Sequence, residues 1–277
     1  MPILYIDKPK GITSFGVCNK LKKVLGTSKI GHTGTLDPNA TGLMIVLYDE
    51  ATKANQFLLS DTKEYYGVCK LGILTDTLDI DGKILASKDL KMPSRSEIES
   101  VFSTFIGKYN QFPPMTSAIK VNGKKLYEYQ REGKEVELKA REVEIFELEL
   151  LDINEKEFSF RCLVSSGTYV RSLLKDILDK LDLIGTLIEL RRTKITLADA
   201  TSLDDALNGK IENHSLYEVL KERYYTYVVD DPKAIKDGKP QKLDIDTMEV
   251  LLVDKDSNCL AIYRKENDVY RSVRGLF

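Results

Sequence analysis

One carboxylate in this chain lies where a reaction could use it. Asp37 sits in Gly31-His32-Thr33-Gly34-Thr35-Leu36-Asp37-Pro38-Asn39-Ala40-Thr41-Gly42, where three glycines let the backbone turn sharply and another molecule approach closely. Pro38 biases Asp37 away from the α region, and the apolar run Leu43 to Leu47 carries the loop straight into the core. By composition alone such a loop is more often turn chemistry than a reaction centre. A second charge stands out at Ser165-Ser166-Gly167-Thr168-Tyr169-Val170-Arg171, which leads into a helix with Val170, Leu173, Leu174, Ile177, Leu178 and Leu181 on one face. Arg171 falls in the first turn, where a cation is unfavourable beside the positive end of the helix dipole; a carboxylate partner would account for it.

Several other chemistries fail on spacing. Thr75 to Gly82 invites a calcium loop, with Asp79, Asp81 and Gly82 at positions three, five and six, but that register puts Lys88 where a bidentate Glu is needed. A hydrolase built from Ser165 or Ser166 with His32 and Asp37 lacks the Gly-x-Ser-x-Gly elbow. Cys18, Cys69, Cys162 and Cys259 show no metal-ligand spacing, and His32 and His214 are the only histidines, so no metal site is expected. No Walker loop or dinucleotide fingerprint is present.

The elements that position these residues can be read in order. Ile3 to Ile6 reads as a strand, and Thr13 or Ser14 caps a helix with Val17, Leu21, Val24 and Leu25 on its apolar face and Gly26 as its stop. Gly42 to Tyr48 reads as a strand covered on both faces. Asp49 is expected to cap a helix through Phe57 to Leu59, and Lys63 to Val68 opens a strand containing Tyr65 and Tyr66, ordinary strand aromatics on propensity alone. Ser94 with Glu97 makes a capping box for a helix ending near Gly107, and Asn122-Gly123 marks a hairpin. Val143, Ile145, Phe158, Phe160 and Cys162 alternate as in antiparallel strands, and Leu190 to Thr193 ends another strand. Residues 225–277 read as short strands, notably Val250 to Val253 and Cys259 to Tyr263.

The order Gly-His-Thr-Gly-Thr-Leu-Asp-Pro-x-Ala-Thr-Gly resembles the signature loop of the TruB family, the bacterial tRNA pseudouridine-55 synthases. Five further stretches resemble that family: Lys8-Pro9-x-Gly11-x-Thr13-Ser14, Thr75-Asp76-Thr77-x-Asp79-x-Asp81-Gly82, Phe112-Pro113-Pro114-Met115-Thr116-Ser117-Ala118, Ser165-x-Gly167-Thr168-Tyr169-Val170-Arg171, and Leu190-Arg191-Arg192-Thr193. Gly16 stands where the family has an Asp, and Thr116 where an aromatic residue is usual. The resemblance covers about residues 3 to 195. It implies an α+β pseudouridine synthase fold with a central mixed, largely antiparallel sheet flanked by helices. It assigns residues 1–224 to the catalytic domain and 225–277 to a small C-terminal β appendage, a shortened PUA-like RNA-binding module.

The resemblance also implies roles. Asp37 would be the catalytic carboxylate, Tyr65 the aromatic that stacks on the target base, and Arg171 the partner of Asp37. His32, Tyr169 and Leu190 would contact substrate, His32 through the displaced RNA loop. Breaking ribose C1′ from uracil N1 and joining it to C5 rearranges atoms without adding any, so no cofactor is expected. Removal of the C5 proton needs a base, for which Tyr65 or Asp37 itself could serve. The competing reading is a tRNA-binding folding chaperone without essential catalysis, which intact Asp37, Tyr65 and Arg171 argue against.

The chain has a formal net charge of −2, but the charge is unevenly spread. Residues 1–36 carry Lys8, Lys10, Lys20, Lys22, Lys23 and Lys29 against the single acid Asp7. Such a run is commonly a solvated face; beside the signature loop it fits phosphate contacts, with Lys8, Lys20, Lys22 and Lys23 as candidates. The expected partner is the tRNA T-arm, met by a stand-alone monomer, since the basic tails of guide-RNA-dependent relatives are lacking. Without a signal peptide or a membrane-length apolar run, a cytoplasmic protein with reduced thiols is expected.

Overall fold

The computed structural model describes residues 1–59, 62–195 and 200–277. The chain divides into two compact units, Met1–Pro38 with Leu43–Leu59 and Ala198–Phe277, and Asn39–Gly42 with Ser60–Leu197.

In the first unit the strand Pro2–Lys8 lies beside Thr41–Tyr48 and pairs in parallel with Thr201–Ser202, while His214–Ser215 runs antiparallel to its start. Ile30–Thr33 pairs antiparallel with Thr41–Tyr48, setting His32 opposite Val46. Ile3 to Ile6 and Leu43 to Leu47 are all buried, as expected of short apolar runs covered on both faces. The helix Ser14–Leu25 is capped by the Thr13 hydroxyl, which accepts from the Gly16 N–H, and is stopped by Gly26 in the left-handed region at φ 65°. Its buried residues are Ser14, Val17, Cys18 and Leu21; Val24, expected on the apolar face, is exposed. Asp49 does not cap the next helical segment. It has φ 50°, its carboxylate is bonded by the Thr27 hydroxyl, and a 3-10 turn Asp49–Ala54 precedes a single α turn Asn55–Leu58.

The same unit carries a four-stranded sheet of Tyr225–Val228, Glu249–Val253, Cys259–Glu266 and Val269–Gly275, parallel in the first pair and antiparallel in the others. Val250, Leu252, Ala261, Tyr263 and Tyr270 form its own buried cluster with Ile235 from the short helix Pro232–Lys236.

In the second unit the strands Gly185–Lys194, Lys63–Leu71, Glu157–Val164, Arg141–Ile153 and Gly107–Gln111 follow one another, every neighbour antiparallel. Thr41 and Gly42 add a short parallel pairing with Arg191 and Arg192. A Cβ on Gly42 would come within 2.2 Å of the Arg192 carbonyl oxygen, so the close approach of these backbones demands glycine here. The strand Lys63–Leu71 alternates buried and half-buried along its whole length. Phe102 from the helix Arg95–Ser103 meets Phe158 and Phe160 edge-on, with centroids 6.3 and 6.4 Å away. That helix has both arms of the Ser94–Glu97 capping box but stops at Ser103, leaving Gly107 to open the next strand. Asn122 and Gly123 both have positive φ, as a two-residue hairpin between Lys120–Val121 and Lys124–Lys125 requires. The helix Val170–Lys180 buries Val170, Leu173, Leu174, Ile177 and Leu178 as its spacing demands, and Arg171 and Ser172 with them.

Candidate active site

In the first unit the segment Lys8 to Ser14 takes hold of the Asp37 loop on both sides of the half-buried aspartate. Before it, the buried Ser14 hydroxyl accepts from the Leu36 N–H at 2.8 Å and donates to the Leu36 carbonyl at 3.0 Å. After it, the Pro38 carbonyl accepts from the Gly11 N–H at 2.9 Å and from Lys8 Nζ at 3.1 Å. Buried backbone groups without partners are expensive, so these bonds fix the loop rather than decorate it. The Lys-Pro-x-Gly-x-Thr-Ser stretch thus acts through the backbone on either side of Asp37.

This corrects the expectation for Lys8. It is fully buried, and its ammonium also donates to the carbonyls of Pro9 at 3.0 Å and Ile12 at 2.8 Å. An ammonium enclosed by carbonyls cannot present itself to a phosphate on the surface. Lys20 and Lys23 are exposed and Lys22 is half-buried, its Nζ 5.5 Å from the centroid of the exposed Phe15 ring. His32 is half-buried on its strand, five residues before Asp37.

Tyr65, Tyr169, Arg171 and Leu190 all belong to the second unit. Tyr65 is buried, opposite Cys162 on one neighbouring strand and Arg192 on the other, and Leu190 is half-buried opposite Gly67. Arg171 is 4% exposed and lies 3.7 Å from the Asp79 carboxylate. It donates to the Thr77 carbonyl at 2.9 Å and to the Thr116 hydroxyl. A carboxylate partner for a cation in a first helical turn is therefore present, and it comes from the stretch read as a structural turn. Thr116, the departure from the family pattern, contributes a hydroxyl to the guanidinium where an aromatic ring is usual.

Sequence reasoning passed over Ser14 as more than a cap, Asp79 and Thr116 as neighbours of Arg171, and Gln111 altogether. Asp79 carried a usable signal, since its motif placed an acid at a fixed spacing near a strand end. A lone Gln at the end of a strand carried none. The thiols offer no alternative nucleophile: burial pushes Cys18 and Cys259 up to about 11 and Cys162 up to about 12, and raises Cys69 further. Among the described residues, no three His, Cys, Asp or Glu side chains converge as a metal site would require, and no helix is long and apolar enough to cross a membrane.

The fold is that of the pseudouridine synthases. A chain in the structure of an H/ACA RNP bound to a substrate RNA containing 2′-deoxyuridine matches with a TM-score of 0.73 at 20% identity, covering 100% of this chain and 85% of that one. A chain of a Cbf5-Nop10-Gar1 complex matches with a TM-score of 0.74 at 22% identity, over the same shares. At the level of sequence, the model of the TruB family pseudouridylate synthase N-terminal domain matches residues 22–170. The tRNA pseudouridine synthase B of Bacillus cereus is 40% identical over 94% of this chain and 91% of its own length. That of Geobacillus thermodenitrificans is 39% identical over 95% and 94%. This chain belongs to the TruB family.

Proposed function

We propose that the protein isomerises uridine to pseudouridine at position 55 in the T-loop of tRNA, with Asp37 as the nucleophile. The observation that carries this reading is the Asp37 loop itself, tied to Ser14 through Leu36 and to Lys8 and Gly11 through Pro38. A nucleophile held in place before substrate arrives needs no reorganisation when the reaction begins. The C1′–N1 bond breaks, the base turns, and C1′ joins C5, whose proton leaves to Tyr65 or Asp37. The family resemblance gives Arg171 as the partner of Asp37, a cation that favours the carboxylate's charged form.

Flipping the target uridine out of a folded loop costs about a few kcal/mol. Stacking on Tyr65 recovers about 1 to 3 kcal/mol of that. The family resemblance gives Tyr169, Leu190 and His32 as contacts of the displaced nucleotide, and the exposed Lys20 and Lys23 with Lys22 are the candidates for phosphate contacts. Residues 225–277 act as a PUA-like RNA-binding appendage, its sheet exposing Arg274 together with Arg264 and Arg271, which pair with Glu249 and Glu266. The enzyme works as a monomer in the cytoplasm and reads its tRNA without a guide RNA. Mapping pseudouridine in tRNA from cells lacking the protein tests the reading: loss at position 55 alone is expected, and an unchanged position 55 would refute it.

A further inference from the structure

Gln111 ends the strand Gly107–Gln111, is 2% exposed, and commits its whole amide. Its Oε1 accepts from the Tyr169 N–H at 2.8 Å, and its Nε2 donates to the Tyr169 carbonyl at 3.2 Å and to the Tyr109 hydroxyl. The backbone N–H can only donate and the backbone carbonyl can only accept, so these two bonds settle which way the amide points. Tyr169 is the N-cap of the helix Val170–Lys180, and its own side chain makes no capping bond. Its carbonyl already accepts the first intrahelical bond, from the Leu173 N–H at 3.0 Å. Gln111 therefore holds the helix end from a different strand.

Two residues into that helix stands Arg171, whose guanidinium donates to Thr116. Gln111 and Thr116 belong to one continuous stretch, Gln111-Phe112-Pro113-Pro114-Met115-Thr116, whose two prolines restrict its backbone. One short segment thus grips Tyr169 by its backbone and Arg171 by its side chain. Tyr109 supports the amide from below: burial, then the Asp176 carboxylate, raises its pKa, so its hydroxyl stays neutral and can accept from Gln111.

We propose that Gln111 is a positioning residue for the isomerisation, setting the backbone that carries Tyr169 and Arg171. The proposal rests on the role given to Arg171 above. Displacing a catalytic group by about 1 Å can lower a rate by about 100-fold without any contact to substrate being removed.

The test is a double-mutant cycle read by single-turnover pseudouridine formation and by tRNA affinity, with thermal melts on every variant. Gln111→Met keeps length and removes all three bonds. Its rate should fall about 10- to 100-fold while the tRNA dissociation constant moves less than about threefold. In an Arg171→Lys background the same change should lower the rate by a smaller factor than in the parent, because one of the two residues it positions is already altered. A parental rate in Gln111→Met, or an equal loss in both backgrounds, would overturn the proposal. A parental rate in Arg171→Lys alone would overturn it too, through the failure of the Arg171 role and not of the Gln111 clamp.

Should Gln111→Met not fold, Gln111→Glu carries the same question. When ionised it still accepts from the Tyr169 N–H but cannot donate to the carbonyl; when protonated it can. Burial raises the pKa of the introduced carboxyl, and Arg141, its cross-strand neighbour, lowers it. The ratio of its rate to the parent's should climb as pH falls from about 8 to about 6. A flat ratio would count against the clamp.

Discussion

Ser14 and Leu36 are joined twice through a single hydroxyl, which takes the Leu36 N–H and gives its proton to the Leu36 carbonyl. Both residues are buried, so Ser14→Ala leaves a donor and an acceptor with no water to replace the bond. The expected loss of stability is about 1 to 3 kcal/mol. Turnover should fall while tRNA affinity holds, because Leu36 precedes Asp37 and not a phosphate contact. Denaturant titration with single-turnover kinetics checks both; an alanine variant as fast as the parent would mean that the loop takes its geometry from Lys8 and Gly11 alone.

The three lysines of the first helix should act on binding and not on chemistry. Replacing Lys20, Lys22 and Lys23 with Gln should weaken tRNA binding and reduce the magnitude of its log–log salt slope by about 2 to 3, since each phosphate contact releases condensed counterions. Lys8→Met should behave differently, lowering stability with little change in slope, because its ammonium is enclosed by carbonyls. An unchanged slope in the triple variant would mean that this helix face meets only solvent.

Tyr65 has two assignable roles, and two substitutions separate them. If it works mainly by stacking, Tyr65→Phe should retain most activity and Tyr65→Ala should not. Equal inactivity of the two would assign proton transfer to the hydroxyl.

Much of this was legible in the sequence, and where it was not the reasons are physical. The helix Val170–Lys180, the Ser94–Glu97 capping box and the Asn122-Gly123 turn are local, and local chemistry writes itself into spacing. Lys8 was misread because a basic run looks the same from the sequence whether its members face water or the core. Asp49 does not cap, because its carboxylate is bonded by Thr27, 22 residues away in sequence. Asp79 beside Arg171 and Gln111 beside Tyr169 are long-range pairs that no periodicity encodes.

Asp176 gives the stability a pH dependence that can be measured. Burial, then Lys175 in opposition and Asp179 in support, leaves its carboxyl pushed up to about 6. The folded state therefore holds this proton more tightly than the unfolded chain, so the contribution is complete below about pH 4 and is lost as pH rises through about 6. Asp176→Asn should stabilise the protein relative to the parent by about 1 kcal/mol at alkaline pH, allowing for partial exposure, and by nothing in acid. Urea titrations at both ends of this window check the sign. A difference that does not change with pH would remove Asp176 as its source.

Asp37→Asn keeps the shape of the side chain and removes its charge. Arg171 retains Asp79, Thr77 and Thr116, and Leu36 and Pro38 keep their bonds, so the variant should fold and bind tRNA through phosphate contacts it has not lost. The deciding measurement is single-turnover conversion of uridine 55 in tRNA by this variant, after a thermal melt and a binding curve have shown it intact. The amide cannot act as the nucleophile, so the rate should fall by many orders of magnitude. A folded, tRNA-binding Asp37→Asn protein that still forms pseudouridine at a substantial fraction of the parent rate would contradict the account at its centre.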